Sequence, residues 1–180
     1  MRAEKMNELL EFYQMYMEHQ KDFYFKYVLF STQWWVLVII IIGLWSLWAM
    51  LVDKKRIITI LLVGLLASLI AIILDDAGLN LMLWDYPYRI TYFTSRMDPV
   101  NVAIIPISYM LLYQYMRTWK AYVIVLAVLS LFGAFIVEPI FVKFNMYIMI
   151  QWKYWYSVPP YILIGIFVKW FVDKLEKRYA

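Results

Sequence analysis

One carboxylate of this sequence, Glu138, falls inside an apolar stretch long enough to cross a membrane. An ionisable side chain in such a place costs about 3 kcal/mol or more unless it pairs or meets water, which makes it a functional candidate. The following Pro139 has no backbone N–H and frees a carbonyl one turn earlier as a further acceptor. Two interpretations stay open: Glu138 is an acid–base group, or it forms a structural ion pair with Arg89, Arg96 or Lys143.

A second acidic group, Asp75 and Asp76, closes another apolar stretch. Asp76 and Asn80 are four residues apart and share a face if the helix continues through Gly78, in which case Asp75 faces elsewhere. Beside Glu138, repulsion and desolvation can keep one of these carboxyls protonated as a proton donor. We therefore expect Glu138 and Asp76 to be the catalytic residues if the protein is an enzyme. The Asp pair equally suits a solvated helix end.

Aromatic side chains accompany both acidic groups, in residues 84–92 and 147–156. Their ordinary role is a belt of Trp and Tyr at the membrane interface. Alternatively, the rings form the floor of a pocket for a polyene, a sterol-like ring system or a cation held by cation–π contact. On that second interpretation we expect the ligand to contact Asp75, Asn80, Trp84, Asp85, Tyr88, Arg89, Trp152, Lys153 and Tyr156.

The remaining residue types exclude several kinds of site. The chain has no cysteine, which excludes thiolate catalysis and Cys-ligated metals, and a single histidine supplies too few imidazole ligands. We predict no metal and no cofactor. No Ser or Thr has a histidine base nearby, which argues against serine hydrolysis. The formal charge of +4 comes from Lys and Arg beside the apolar stretches, which indicates anionic lipid headgroups as partners and not nucleic acid.

Composition predicts the fold class. With 65% hydrophobic and 20% aromatic residues, we expect an all-α integral membrane bundle, a single domain over residues 27–180. Because a span needs about 20 residues, we expect about five transmembrane helices, near residues 27–52, 57–74, 99–116, 121–142 and 158–172.

Residues 1–26 are charged and have no apolar core followed by a cleavage site, so we expect them to belong to the mature protein. Their apolar side chains recur at helical spacing opposite the charged ones. This pattern predicts an amphipathic helix lying in the membrane interface. A helix packed on the bundle's own loops is the open alternative.

The positions of Lys and Arg predict the orientation. They crowd residues 54–56, 117–120 and 169–178, whereas those near the other ends of the spans are more dispersed. Because cytoplasmic segments retain Lys and Arg, we expect an external N-terminus and a cytoplasmic C-terminus in a bacterial plasma membrane. The two polar connections, 75–98 and 138–157, then lie on the same outer face.

Several motifs between residues 84 and 165 resemble an uncharacterised family of small multi-spanning membrane proteins of spore-forming bacilli and clostridia. The similar segments are Trp84-x-Tyr86-Pro87-Tyr88-Arg89, Pro106-x-x-Tyr109-Met110-Leu111-x-Tyr113-Gln114-Tyr115, Trp119-Lys120, Glu138-Pro139-x-Phe141 and Trp152-x-Tyr154-x-Tyr156-Ser157-x-Pro159. The resemblance covers under half of the chain and implies a membrane bundle without an activity.

Together these features predict a membrane protein that binds a lipid, an apolar small molecule or another membrane protein through its outward acidic and aromatic cluster. The alternative is an intramembrane enzyme that protonates an isoprenoid or lipid substrate.

Overall fold

The computed structural model describes residues 2–179, which are predominantly helical. The helices are α1 (Arg2–Phe23), α2 (Thr32–Leu51), α3 (Ile57–Asn80), α4 (Ile105–Tyr115), α5 (Trp119–Phe132), α6 (Glu138–Lys143) and α7 (Val158–Tyr179). Two short strands, β1 (Trp84–Asp85) and β2 (Ile148–Met149), pair antiparallel. The prediction of an all-α fold is confirmed, with this two-residue ladder as a local addition.

Four helical stretches are long and apolar enough to cross a membrane, judged by length and composition: Thr32–Leu51, Lys54–Asn80, Trp119–Lys143 and Tyr154–Arg178. The predicted count of five spans is therefore not met among the described residues. The helix at the expected third span, Val100–Tyr115, is apolar but short. At 1.5 Å per residue it covers about 24 Å, less than the roughly 30 Å of a bilayer core.

Proline shapes the beginning of this short helix. A π-helical turn, Val100–Ile104, leads into α4, whose second residue is Pro106. Because Pro106 has no N–H, the carbonyl of Val102 lacks its usual helical partner. That carbonyl accepts a hydrogen bond from Trp45 Nε1 at 3.0 Å, which joins α4 to α2. A similar π-helical turn, Gly133–Val137, joins α5 to α6.

The main hydrophobic core lies where α3 packs against α4 and α7, and α5 completes it by packing on α7. Its fully buried members include Ile60, Val63, Ala67, Ala103, Met110, Leu126, Val168 and Val172. A smaller core lies beneath the two polar connections and contains Leu37, Tyr86, Met97, Phe141, Met146 and Tyr147.

The two polar connections lie at the same end of the bundle, here called the connection end (residues 81–98 and 144–157). Strand β1 belongs to the first connection and β2 to the second, with Asp85 opposite Ile148. The segment before α2 joins them, since Tyr24 Oη donates to the carbonyl of Ile90. The two connections therefore lie at one end of the bundle, as predicted, whereas the outward orientation of that end stays a prediction.

A polar cluster holds the opposite end of the bundle together. Tyr113 Oη on α4 lies 2.9 Å from both Asp173 Oδ1 and Glu176 Oε2 on α7. Lys169 is buried, with Nζ 3.3 Å from Asp173 Oδ2 and 4.7 Å from the centre of the Tyr113 ring. Arg56, just before α3, approaches Glu176 at 3.7 Å. These contacts fix the ends of three helices relative to one another.

Helix α1 contains no buried residue. Most of its apolar side chains, among them Met6, Leu9, Leu10 and Tyr13, are more than half exposed. Near its end, α1 contacts the first connection, because Arg89 Nη1 donates a hydrogen bond to Gln20 Oε1 at 3.1 Å. One of the two sequence interpretations required α1 to pack on the bundle's loops. Over most of its length α1 does not do so.

Candidate functional site

A cavity of about 470 Å³ lies inside the connection end. Its size falls within the range of roughly 300–1,000 Å³ that is usual for small-molecule sites. Helices α3, α4, α5, α6 and α7 form its walls, and side chains of the two connections cover it. Most lining residues are apolar or aromatic, including Ala71, Leu74, Met97, Ile104, Tyr109, Val137, Phe141 and Ile164.

Several apolar residues that line the cavity are themselves exposed, and they lie on or next to α3 and on α5. On or next to α3, the lining residues Leu74 and Leu81 are 45% and 66% exposed. On α5, the lining residues Leu129 and Phe132 are 39% and 54% exposed. Ala77, also exposed, lies between the two leucines along α3. We infer that the cavity opens among these five residues, and we call this inferred opening the lateral mouth.

Asp75 is the first of two carboxylates in the cavity wall, and it is buried. Its Oδ1 accepts hydrogen bonds from Trp84 Nε1 at 2.9 Å and from Tyr86 Oη at 2.8 Å. Its Oδ2 accepts one from Asn101 Nδ2 at 2.6 Å. Three donors around one carboxyl offset part of the cost of burying it and hold it in a fixed orientation. Asp75 thereby ties β1 and the start of the α4 segment to α3.

Trp84 reaches Asp75 because the chain has no side chain at Gly78. A Cβ at Gly78 would lie 2.0 Å from the Trp84 ring atom Cζ2, which is far inside contact distance. Glycine here lets a rigid indole lie directly on the helix backbone. Trp84 also packs edge to face with Trp152, with ring centres 4.8 Å apart. The two connections therefore close the cavity with paired indoles.

Glu138 is the second carboxylate, with 9% of the residue exposed. Its Oε1 accepts a hydrogen bond from Tyr161 Oη on α7 at 2.8 Å. The Ser157 hydroxyl, which accepts from Trp152 Nε1 at 2.8 Å, lies near the same carboxyl. Its Oε2 is nevertheless buried without a hydrogen-bond partner among the described residues. Glu138 therefore has an unused acceptor, whereas Asp75 has none.

The predicted clasp between Glu138 and a basic residue is wrong for the described part of the chain. Arg89 pairs with Asp85 at 3.2 Å. Arg96 pairs with Asp76 at 2.9 Å. The third proposed partner, Lys143, is exposed, whereas Glu138 is buried. A tyrosine hydroxyl takes the place that the sequence suggested for a cation.

Two tyrosines of the connections lie close to these carboxylates. Burial raises the pKa of Tyr86, and the neighbouring charge of Asp75 raises it further. Burial likewise raises the pKa of Tyr147, and the charges of Glu138 and Asp75 add to the effect. Both hydroxyls therefore stay protonated and act as donors at neutral pH. Because Asp75, Glu138 and both tyrosines line the same cavity, the two acids belong to one site.

The structure divides the sequence-predicted site residues into two groups. Asp75, Trp84, Glu138 and Trp152 line the cavity. Outside it lie Asp76, Asn80, Asp85, Tyr88, Arg89, Lys153 and Tyr156.

The predicted residues outside the cavity have mainly structural contacts. Asp76 pairs with Arg96, and Asn80 Nδ2 donates to the Asp76 carbonyl at 2.7 Å. Asp85 and Arg89 pair with each other. The others pack or are exposed: Tyr88 packs against the smaller core, Tyr156 against the Trp152 ring, and Lys153 is exposed.

Sequence reasoning missed the residues that hold the carboxylates: Tyr86, Asn101, Tyr147, Ser157 and Tyr161. It also favoured Asp76 over Asp75. A signal for Asp75 was present, because the buried residues Gly64, Ala67, Ala71 and Gly78 recur at helical spacing and Asp75 falls on the same stripe. A stripe of small residues marks the face of α3 that meets its neighbours.

The donor set of the cavity does not suit a metal. Within the described residues, no group of three or more His, Cys, Asp or Glu side chains is placed to hold an ion. What the site offers is two carboxylates, several protonated hydroxyls and a large apolar surface. Such a set can bind an apolar molecule with one polar end, and it can exchange a proton with it.

No family model, curated protein or solved structure matches this chain.

Proposed function

We propose that this protein crosses a bacterial plasma membrane and binds an apolar ligand in the cavity at its connection end. The observation that carries the proposal is that apolar residues lining the cavity are exposed on and next to α3 and on α5. A molecule dissolved in the bilayer can pass between α3 and α5 without crossing water, because leucines and a phenylalanine border the opening. The buried carboxylates then bind the polar end of the ligand, as polar groups do in apolar pockets.

The membrane assignment includes a finer proposal. The apolar helix Val100–Tyr115 completes a fifth crossing together with the connection that precedes it, since non-helical backbone is tolerated at depth where protein covers it. Helix α1 lies in the interface with its apolar face against membrane lipids. The N-terminus and both connections face outward. The relation to the spore-former family stays a prediction.

The proposal is tested by extracting small molecules from gently solubilised protein and identifying them by mass spectrometry. We expect one apolar molecule to be retained by the native protein. Replacing Trp84 or Trp152 by Ala should reduce the retained amount by about tenfold, because each ring contributes apolar contact of roughly 1–2 kcal/mol. The control is Trp155→Ala, since Trp155 is 57% exposed and does not line the cavity. Equal retention in all four proteins would contradict the proposal.

An enzyme is the second candidate, and one observation favours it. Two carboxylates with different partners line a single apolar cavity, which is the arrangement that acid–base chemistry needs. Glu138, with its unused oxygen, is the better proton donor or acceptor. Asp76 was the other predicted catalytic residue, but its pairing with Arg96 outside the cavity gives Asp75 the better position. If the protein is an enzyme, we expect the Glu138→Gln variant to retain the unconverted substrate. The native protein should instead release the converted product.

A further inference from the structure

Among the described residues, the cavity wall contains acidic side chains but no basic ones. Among the described residues that line it, two carry a carboxylate and none is Lys, Arg or His. Its other polar side chains are neutral hydroxyls, amides and indoles. An anionic headgroup would face two carboxyl groups here, with no cation among the described lining residues to offset its charge. The wall therefore disfavours fatty acids and phosphate esters.

The two carboxylates differ in what they still need. Asp75 is satisfied by three donors from the chain itself. Within the described residues, Glu138 accepts a hydrogen bond from Tyr161 at Oε1, while its Oε2 is buried without a partner. A buried carboxylate oxygen that lacks a donor is costly. A bound molecule can supply the missing donor, as can a proton on the carboxyl or a small shift of the nearby Ser157 hydroxyl.

The aromatic rings that line the cavity favour a cationic hydrogen-bond donor over a neutral one. The indoles of Trp84 and Trp152 and the phenols of Tyr86, Tyr147 and Tyr161 line the same cavity. Ring faces carry negative potential and attract cations, most strongly where water is excluded. A neutral hydroxyl would satisfy Glu138 Oε2 but gain nothing from the rings or from the net negative charge.

From these observations we propose that the ligand is a cationic amphiphile, an apolar chain or ring system that carries one protonated amine bound at Glu138. This inference rests on the proposed function, because it specifies the ligand of the same cavity. The amine donates to Oε2 and neutralises the carboxylate. The apolar part extends past Ala71, Ile104 and Val137 toward the lateral mouth.

The test uses three C16 chains that each carry a diazirine near the methyl end and differ only in the head group: primary amine, alcohol or carboxylate. The purified protein is reconstituted in nanodiscs of neutral phosphatidylcholine, so that no anionic surface concentrates the amine. Labelled peptides are mapped, and specific labelling is the part that excess unlabelled hexadecylamine prevents. We expect the amine to label cavity residues at least about tenfold more than the alcohol or the acid.

Glu138→Gln keeps the shape of the side chain and removes its charge, and it should lower amine labelling to the level of the alcohol. The matched control is Asp76→Asn, which removes a carboxylate outside the cavity and should leave labelling unchanged. If Glu138→Gln does not fold, the comparison of amine and alcohol on the native protein decides alone. Equal, competed labelling by amine and alcohol would overturn the cationic ligand and leave the apolar cavity intact. Absence of competed cavity labelling by all three probes would overturn the proposed function and this inference with it.

Discussion

At the residue scale, the environments of two neighbouring carboxylates differ sharply. Asp75 is buried and accepts three hydrogen bonds, whereas the Asp76 side chain is 47% exposed and paired with Arg96. Consecutive residues of a helix point about 100° apart, so one faces the cavity and the other the surface. The exposed pair is screened by solvent and contributes little. We therefore expect Asp75 to contribute more than Asp76 to the stability of the fold.

This difference predicts the outcome of a matched pair of substitutions. Asp75→Asn places an amide group where Trp84, Tyr86 and Asn101 donate, which leaves donors unsatisfied and should lower stability by about 1–3 kcal/mol. Asp76→Asn should change stability by less than about 0.5 kcal/mol. Thermal unfolding of both variants in one detergent measures the contrast. Equal loss of stability in the two variants would mean that the hydrogen bonds around Asp75 carry no special weight.

Sequence alone could not choose between these two residues. It predicts that the acidic pair ends the second span, but α3 continues to Asn80. Within this longer helix, the partners of the two carboxylates, Asn101 and Arg96, are distant in sequence. Those partners become neighbours only after the connection folds back, which no local pattern reports. The small-residue stripe of α3 was the part of this information that the sequence did contain.

At the element scale, the connection end depends on two segments that pair across more than sixty intervening residues. Each connection contributes one indole to the cavity cover, Trp84 from one and Trp152 from the other, and their rings are in contact. The aromatic runs were predicted either as interface belts or as a pocket floor. The structure gives the cavity part to Trp84, Tyr86, Tyr147 and Trp152, while Phe93 and Trp155 are exposed. Sequence could not make this division because both roles select the same residue types.

The strand pairing can be tested with cysteines, since the chain has none of its own. Asp85 and Ile148 lie directly opposite each other, and opposed residues of an antiparallel pair have Cβ atoms about 4.5–5.5 Å apart. We expect Asp85→Cys combined with Ile148→Cys to crosslink under mild oxidation or with a short bis-thiol reagent. The crosslinked protein should run as a compact band on a denaturing gel.

The control for this experiment combines Asp85→Cys with Lys54→Cys, which lies at the opposite end of the bundle. That pair should not crosslink. Crosslinking of both pairs, or of neither, would argue against the paired connections.

At the scale of the whole molecule, composition predicted the helical class and the apolar character of the main helices. It overestimated the number of full-length spans, because Val100–Tyr115 is apolar without being long enough. The aromatic runs suggested a pocket as one of two interpretations, but its walls could not be predicted, because they come from helices and connections that are distant in sequence. The charge cluster of Tyr113, Lys169 and Asp173 was equally hidden, because its members are dispersed along the sequence.

Orientation is also a property of the whole chain. Lys and Arg crowd residues 54–56, 117–120 and 169–178, the end opposite the connections. Cytoplasmic retention of these charges predicts that a reporter active only outside the cytoplasm works when inserted after Arg96 and fails when fused after Ala180. The reverse pattern would place the cavity's connection end in the cytoplasm.

The central claim is that a ligand enters the cavity from the membrane through the lateral mouth, and one comparison tests it most directly. Ala77 is exposed at this mouth, so Ala77→Trp should obstruct the opening without disturbing the core. Ile73→Trp is the control, because Ile73 is 58% exposed on the same helix and does not line the cavity. The measurement is the amount of apolar molecule that co-purifies with each protein, determined by mass spectrometry against protein concentration. The account predicts near-native retention in Ile73→Trp and a loss of about tenfold or more in Ala77→Trp, with both proteins folded. Native retention in the Ala77→Trp protein would contradict it.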